Sequence, residues 1–260
     1  MLKHEDYNTP AILNLPGNRQ PVGAVLMLHG TASHKNEVGN LFQRLAARLS
    51  EEGIASLRID FAGTGDSPVS YMDYTLESAV RDAQSALDYL MKEQGITRTG
   101  VLGFSQGGLI AQLLINNNND LPALALWSSV TGDGTTAMQS WFDGLYPQAV
   151  EDGYVTLTFP WRSDLKLSRD WFEQLKAQRS LTGMKAYRGH VLAVSGSADD
   201  VVPYTSTAVL RLFPFASFDT ITIKDGTHIF NALDNDQTKA EQVLEITSDW
   251  FVRVFPAQVE

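Results

Sequence analysis

The chain contains no cysteine. That absence removes disulfides, thiolate zinc sites and cysteine nucleophiles, together with redox chemistry at sulfur. Basic residues are also scarce: 20 Lys and Arg face 30 Asp and Glu, for a formal net charge of -10. No Lys/Arg cluster offsets this balance locally. Phosphate backbones and anionic lipid are therefore repelled, and neither nucleic acid nor a membrane is an expected partner. Nowhere do about eighteen apolar residues follow one another, the length a spanning helix needs. The opening MLKHEDYNTP is charged where a signal peptide requires an apolar run. Together these absences lead to the expectation of a soluble, cytoplasmic protein.

What is present is ample apolar material. At 260 residues and 43% hydrophobic, the chain can bury a sizeable core, and its length suits one α/β domain carrying an insertion. Apolar β-type runs alternate with segments of helical period, the signature of βα units around a mostly parallel sheet flanked by helices. The spacing predicts strands at Ala24–Leu28, Ile54–Ile59, Thr99–Phe104, Ala123–Trp127, Val191–Ser195 and Ser217–Ile223. Helical faces are formed by Leu41, Phe42, Leu45, Ala46 and Leu49, by Ala79, Ala83, Ala86, Leu87 and Leu90, and by Leu109, Ile110, Leu113 and Leu114. A closing helix carries Ala240, Val243, Leu244, Thr247, Phe251 and Val254 on one face.

Between residues 131 and 189 this rhythm stops, over a length too great for a plain connection. The expected organisation is a core of residues 1–130 and 190–260 with an inserted cap at 131–189. The insertion is dense in aromatic residues. One reading is a small satellite core, built from a hairpin near Tyr154–Phe159 and a helix near Arg169–Gln178. The other is a cap that also roofs a pocket, in which case Trp141, Tyr154, Trp161 and Trp171 are the candidates for substrate contact.

The stretch LGFSQGGL places Ser105 in a GxSxG pattern between a predicted strand and a predicted helix. A serine hydroxyl is a poor nucleophile unless a base takes its proton, an acid orients the base, and donors await the oxyanion. Gly103 and Gly107 let a tight elbow form, with the hydroxyl above the carboxyl ends of the strands. Of the five histidines, His228 in KDGTHIF follows a late strand and can reach the elbow, whereas His4, His34 and His190 suit surface or structural roles. For the acid, SGSADDVVP offers Asp199 or Asp200 after the preceding strand. The oxyanion donors in such an arrangement are the N–H of the residue after the nucleophile, Gln106, and an N–H from the loop after the first core strand. That loop, LHGTASHK, makes Thr31 the donor, with its hydroxyl as a further potential one, while His29 and Gly30 shape the turn.

The motifs HGTASHK, RIDFAGTGDS, GFSQGG, GSADDVVP and DGTH, spread over nearly the whole chain, resemble the α/β-hydrolase superfamily, and within it small bacterial serine esterases of the cinnamoyl/feruloyl type. The resemblance implies an inserted cap after the sixth strand and assigns the acid to Asp199. It also implies that Asp60, Gly63, Gly65 and Ser67 of the DFAGTGDS loop support the floor of the site without reacting. Thr31 stands where these esterases often carry an aromatic residue, and the strands before Ala24 are compressed into a short stretch.

The function this implies is a serine hydrolase cleaving small carboxylic esters, aryl and cinnamoyl esters among them, through Ser105, His228 and Asp199. Its partner is a small-molecule ester, and no cofactor or metal is expected. Peptidase, thioesterase and acyltransferase activities use the same triad, and a small-molecule binding protein can be built on the same scaffold.

Overall fold

The computed structural model describes residues 1–4, 6–17, 19–160 and 162–255. A short hairpin, β1 (Leu2–Lys3) and β2 (Asn8–Thr9), precedes β3 (Ala11–Asn14) and β4 (Gly23–Leu28). Three βα units follow: α1 (Leu41–Glu51) with β5 (Ile54–Ile59), α2 (Leu76–Asp88) with β6 (Thr99–Phe104), and α3 (Gln106–Ile115) with β7 (Ala123–Trp127). After an intervening segment come β10 (His190–Gly196), β11 (Ser217–Ile223) and the closing helix α9 (Thr238–Val254).

These strands form a seven-stranded sheet in the order β11-β10-β7-β6-β4-β5-β3. All neighbours run parallel except β3, which pairs antiparallel with β5. Helices cover both faces, which is why β4 to β7 are buried at every position and read as mainly apolar runs rather than alternating ones. The period of two remains visible in the partition of the core. Ala24, Leu26 and Leu28 pack with Ala79, Ala83 and Leu87 of α2 and with α3, while Val25 and Met27 pack with Phe42 and Leu45 of α1 and with Leu244 and Phe251 of α9.

The chain passes from β4 outward to β5, then crosses back to place β6 on the other side of β4. The strand order therefore reverses between β4 and β6, and the loops at their carboxyl ends open a crevice there. The segment Leu28–His29 that leaves β4 and the start of α3 meet closely. A Cβ on Gly107 would overlap the Leu28 carbonyl oxygen and lie 2.6 Å from that of His29, so only glycine fits.

Between β7 and β10 lie the short helices α4 (Gly134–Ala137), α5 (Gln139–Gly144) and α6 (Tyr146–Asp152), an antiparallel hairpin of β8 (Tyr154–Phe159) and β9 (Arg162–Ser168), then α7 (Arg169–Ala177) and α8 (Ser180–Met184). The hairpin is a separate two-stranded sheet. Ser168 caps α7 by accepting the Trp171 N–H at 3.3 Å. Within the central sheet β7 is the fifth strand in chain order, because the compressed N-terminal stretch contributes only β3 before β4. No helix among the described residues is long and apolar enough to cross a membrane.

Because the obstruction at Gly107 is backbone, which cannot rotate away, Gly107→Ala is expected to destabilise the fold by about 3 kcal/mol or more. A urea midpoint equal to that of the unsubstituted chain would show that α3 does not approach β4 this closely.

Candidate active site

Ser105 joins β6 to α3 with φ 54° and ψ -120°, a conformation that residues bearing a Cβ seldom adopt. Three backbone hydrogen bonds hold it there. Its N–H donates to the Trp127 carbonyl at 2.8 Å, and its carbonyl accepts from Gly108 and Val130, each at 3.1 Å. The turn is tight enough that a Cβ on Gly103 would run into the Gly107 carbonyl. The hydroxyl is thereby lifted above the end of β6.

His228, in the loop after β11, lies with Nε2 3.0 Å from Ser105 Oγ. Its Nδ1 is 3.0 and 2.9 Å from the Asp199 carboxylate oxygens. A carboxylate only accepts, so Nδ1 carries the proton and Nε2 is left to accept from the serine hydroxyl. The Asp199 side chain has no exposed surface, and its Oδ1 also accepts the Val201 and Val202 N–H groups, both at 2.9 Å. Asp200 is exposed, so the choice between two adjacent carboxylates is made by the turn after β10. The acid and base loops are tied together: Ala198 N–H donates to Gly226 O at 2.8 Å and Asp225 N–H to Ser197 Oγ at 2.7 Å. Thr227 and Asn231 exchange side-chain-to-backbone bonds across the turn that carries His228. The Phe104 ring packs 5.2 Å from the imidazole and limits its tilt.

The Gln106 N–H belongs to the first turn of α3 and has no intrahelical acceptor. The Gln106 side chain is buried, and its Oε1 accepts from the Thr31 hydroxyl and, at 3.2 Å, from the Tyr74 hydroxyl. The Thr31 hydroxyl is thus spent in joining the two loops rather than offered as a further donor.

Residues that the motifs did not single out brace the loop after β4. Glu37 is buried; its Oε2 accepts the Gly30 N–H at 2.8 Å, and its Oε1 accepts the Ser33 hydroxyl at 2.5 Å and the Val38 N–H at 2.9 Å. The Tyr71 hydroxyl accepts the Ala32 N–H at 3.0 Å, and burial pushes that phenol's pKa up. Arg162, at the start of β9, donates to the Ala32 carbonyl at 2.6 Å. Asp60 has no exposed surface and accepts from the Lys35 N–H at 2.7 Å, Lys35 Nζ at 2.6 Å and the Asp66 N–H at 2.9 Å, while Ser67 Oγ accepts the Gly63 N–H at 2.9 Å. The DFAGTGDS loop therefore props the loop after β4.

The other histidines lie elsewhere. His4 contacts Thr9 at 2.9 Å, His190 contacts Ser217 at 2.9 Å, and His34 is exposed. His29 is buried beneath the loop, with Nδ1 2.8 Å from Gly30 O and Nε2 3.0 Å from Thr64 Oγ1. The Gly30 carbonyl can only accept, so Nδ1 is protonated and the neutral ring receives at Nε2.

The aromatic residues of the insertion are placed unequally. Trp171 has no exposed surface; its ring sits 4.8 Å from Phe172 and 5.7 Å from Trp141, so it packs the core of the insertion rather than a binding surface. Trp141 is partly buried, Tyr154 lies under Lys166 Nζ at 4.5 Å, and Trp161 lies outside the described residues. A groove of about 600 Å³ between α2, α3 and α7, floored by Leu76, Val80 and Leu113, includes none of Ser105, Asp199 or His228.

Burial lowers the His29 pKa, whereas the unfolded ring takes up a proton below about pH 6.5. Below that pH the unfolded state binds the extra proton, so this residue's contribution is complete above it and is lost on acidification. The expected slope is up to about 1.4 kcal/mol per pH unit. In His29→Asn, which keeps a donor for Gly30, that part of the slope should vanish from urea titrations. An unchanged slope would mean that His29 is not buried as a neutral ring.

A family model described as serine aminopeptidase, S33, matches residues 19–182. Comparison with curated protein sequences gives no match. Among solved structures, Est1E from Butyrivibrio proteoclasticus with ferulic acid bound is similar at 23% identity over 97% of both chains, with a TM-score of 0.80. A monoacylglycerol lipase from Paleococcus ferrophilus is similar at 16% identity over 95% of this chain and 99% of its own, with a TM-score of 0.70. A dienelactone hydrolase from Anabaena variabilis is similar at 15% identity over 97% and 94%, with a TM-score of 0.64. At these identities the likeness is one of fold. With the family match spanning more than half of its length and a seven-stranded sheet of the same architecture, the chain belongs to the serine aminopeptidase S33 family of α/β-hydrolases.

Proposed function

We propose that the protein is a serine carboxylesterase acting on small esters, with Ser105 as nucleophile, His228 as base and Asp199 as the orienting acid. The observation that carries this reading is the chain of hydrogen bonds from Ser105 Oγ through His228 to the enclosed Asp199 carboxylate. In the reaction Ser105 Oγ attacks the ester carbonyl while His228 Nε2 takes its proton, and Asp199 stabilises the imidazolium. The Gln106 and Thr31 N–H groups receive the tetrahedral oxyanion. His228 then returns the proton to the departing alcohol, leaving Ser105 acylated. Water, deprotonated by His228, attacks the acyl group and frees the acid.

The substrate class rests on the fold likeness to a structure holding ferulic acid and on an aromatic insertion that we assign as the cap over the site. The composition fits a cytoplasmic enzyme of diffusible substrates rather than of anionic lipid surfaces. The family's description makes aminopeptidase the second reading. An aminopeptidase needs a carboxylate for the substrate's α-ammonium group. Beside the loop after β4, Glu37 is committed to Gly30 and Ser33, and Asp60 to Lys35, while the charge facing Ala32 is the cation Arg162. That distribution favours an ester over a free amino terminus.

The test compares p-nitrophenyl butyrate, methyl ferulate and an aminoacyl p-nitroanilide on one preparation. The esters should be cleaved and the anilide not, and Ser105→Ala or His228→Ala should lower kcat by about 10⁴-fold or more. Preference for the anilide, or ester cleavage surviving in Ser105→Ala, would each overturn the assignment.

A further inference from the structure

We infer that Arg162 is a positioning residue for the esterase reaction, through which the inserted hairpin sets the Thr31 N–H; the inference rests on the esterase reading above. Ala32, the residue after Thr31, has φ 60°, a left-handed conformation that an alanine seldom holds unaided. Both of its peptide groups are clamped from outside the loop. Its N–H donates to the Tyr71 hydroxyl at 3.0 Å, and its carbonyl accepts from Arg162 Nη1 at 2.6 Å. Tyr71 and Arg162 belong to segments that pack on each other, since β9 lies against residues 71–73. The clamp is therefore one unit, half from the core and half from the hairpin.

The surroundings of Arg162 set it apart from a surface arginine. It is half-buried, its Nε is enclosed without a partner, and no carboxylate among the described residues pairs with it. The cation is thus held by a backbone carbonyl of the loop rather than by a counter-ion. Losing it frees the Ala32 peptide to relax toward ordinary φ, and the preceding Thr31 N–H turns with it. A donor displaced in this way weakens binding of the oxyanion but not of the planar ester, so the loss should appear in kcat.

The experiment measures Arg162→Ala and Arg162→Lys with p-nitrophenyl butyrate, after circular dichroism and thermal unfolding confirm folding. Arg162→Ala should lower kcat about 10- to 100-fold with KM changed less than about twofold. Arg162→Lys, which keeps one donor within reach of the carbonyl, should recover part of the loss. Inhibition by a trifluoromethyl ketone should weaken by the same factor as kcat/KM. Its carbonyl carbon bonds to Ser105 Oγ as the proton passes to His228, which leaves an oxyanion. An unchanged kcat in Arg162→Ala, a rise confined to KM, or a lysine variant no better than alanine would overturn the inference. Should the alanine variant not fold, the lysine variant decides it: kcat equal to that of the unsubstituted chain overturns it, and an intermediate loss at unchanged KM supports it. Ester cleavage persisting in Ser105→Ala would instead remove the esterase reading itself, so the two failures are separable.

Discussion

A serine held at φ 54° between a strand and a helix is the constraint on which the rest of this molecule depends. Such a backbone persists only where its surroundings over-determine it. Here Trp127 and Val130 bind the Ser105 peptide groups, and the absence of side chains at Gly103 and Gly107 lets α3 start directly against the end of β4. That contact brings the loop carrying Thr31 beside Gln106. A wider turn would lower the hydroxyl away from His228 and separate the two N–H groups that face the oxyanion in the proposed reaction.

Around this turn, three charged side chains near the loop after β4 fix backbone. The Glu37 carboxylate holds Gly30 and Ser33, Asp60 holds Lys35 and Asp66, and Arg162 holds Ala32. Buried or half-buried charges that bind peptide groups in this way limit small displacements, because moving the loop leaves a charge without its partner. The anionic excess of the whole chain thus does not describe the local field. At this loop the carboxylates are satisfied, and Arg162 of the hairpin pairs with no carboxylate among the described residues.

The parallel core was legible in the sequence because strands covered on both faces appear as apolar runs. β5, β6, β7 and β11 fall where the spacing put them, and α3 begins directly after Ser105. Among the five histidines only His228 follows a late strand, and it is the one that lies beside Ser105. Spacing alone could not separate Asp199 from Asp200; the turn does so by burying one and exposing the other. The braces were harder to read for a physical reason. Glu37 has the sequence character of a solvated loop residue, and Tyr71, Tyr74 and Arg162 act on partners far away in the chain. The antiparallel β3 is a short, partly exposed edge without a strong pattern. In the insertion, density of aromatic residues did not distinguish a packed core from a pocket, and Trp171 belongs to the former.

Activation of one serine by this turn is tested by the mass of the intact protein after treatment with a fluorophosphonate. A single adduct is expected, mapped to the peptide containing Ser105 and absent from Ser105→Ala. No adduct, or one carried by another residue, would contradict it.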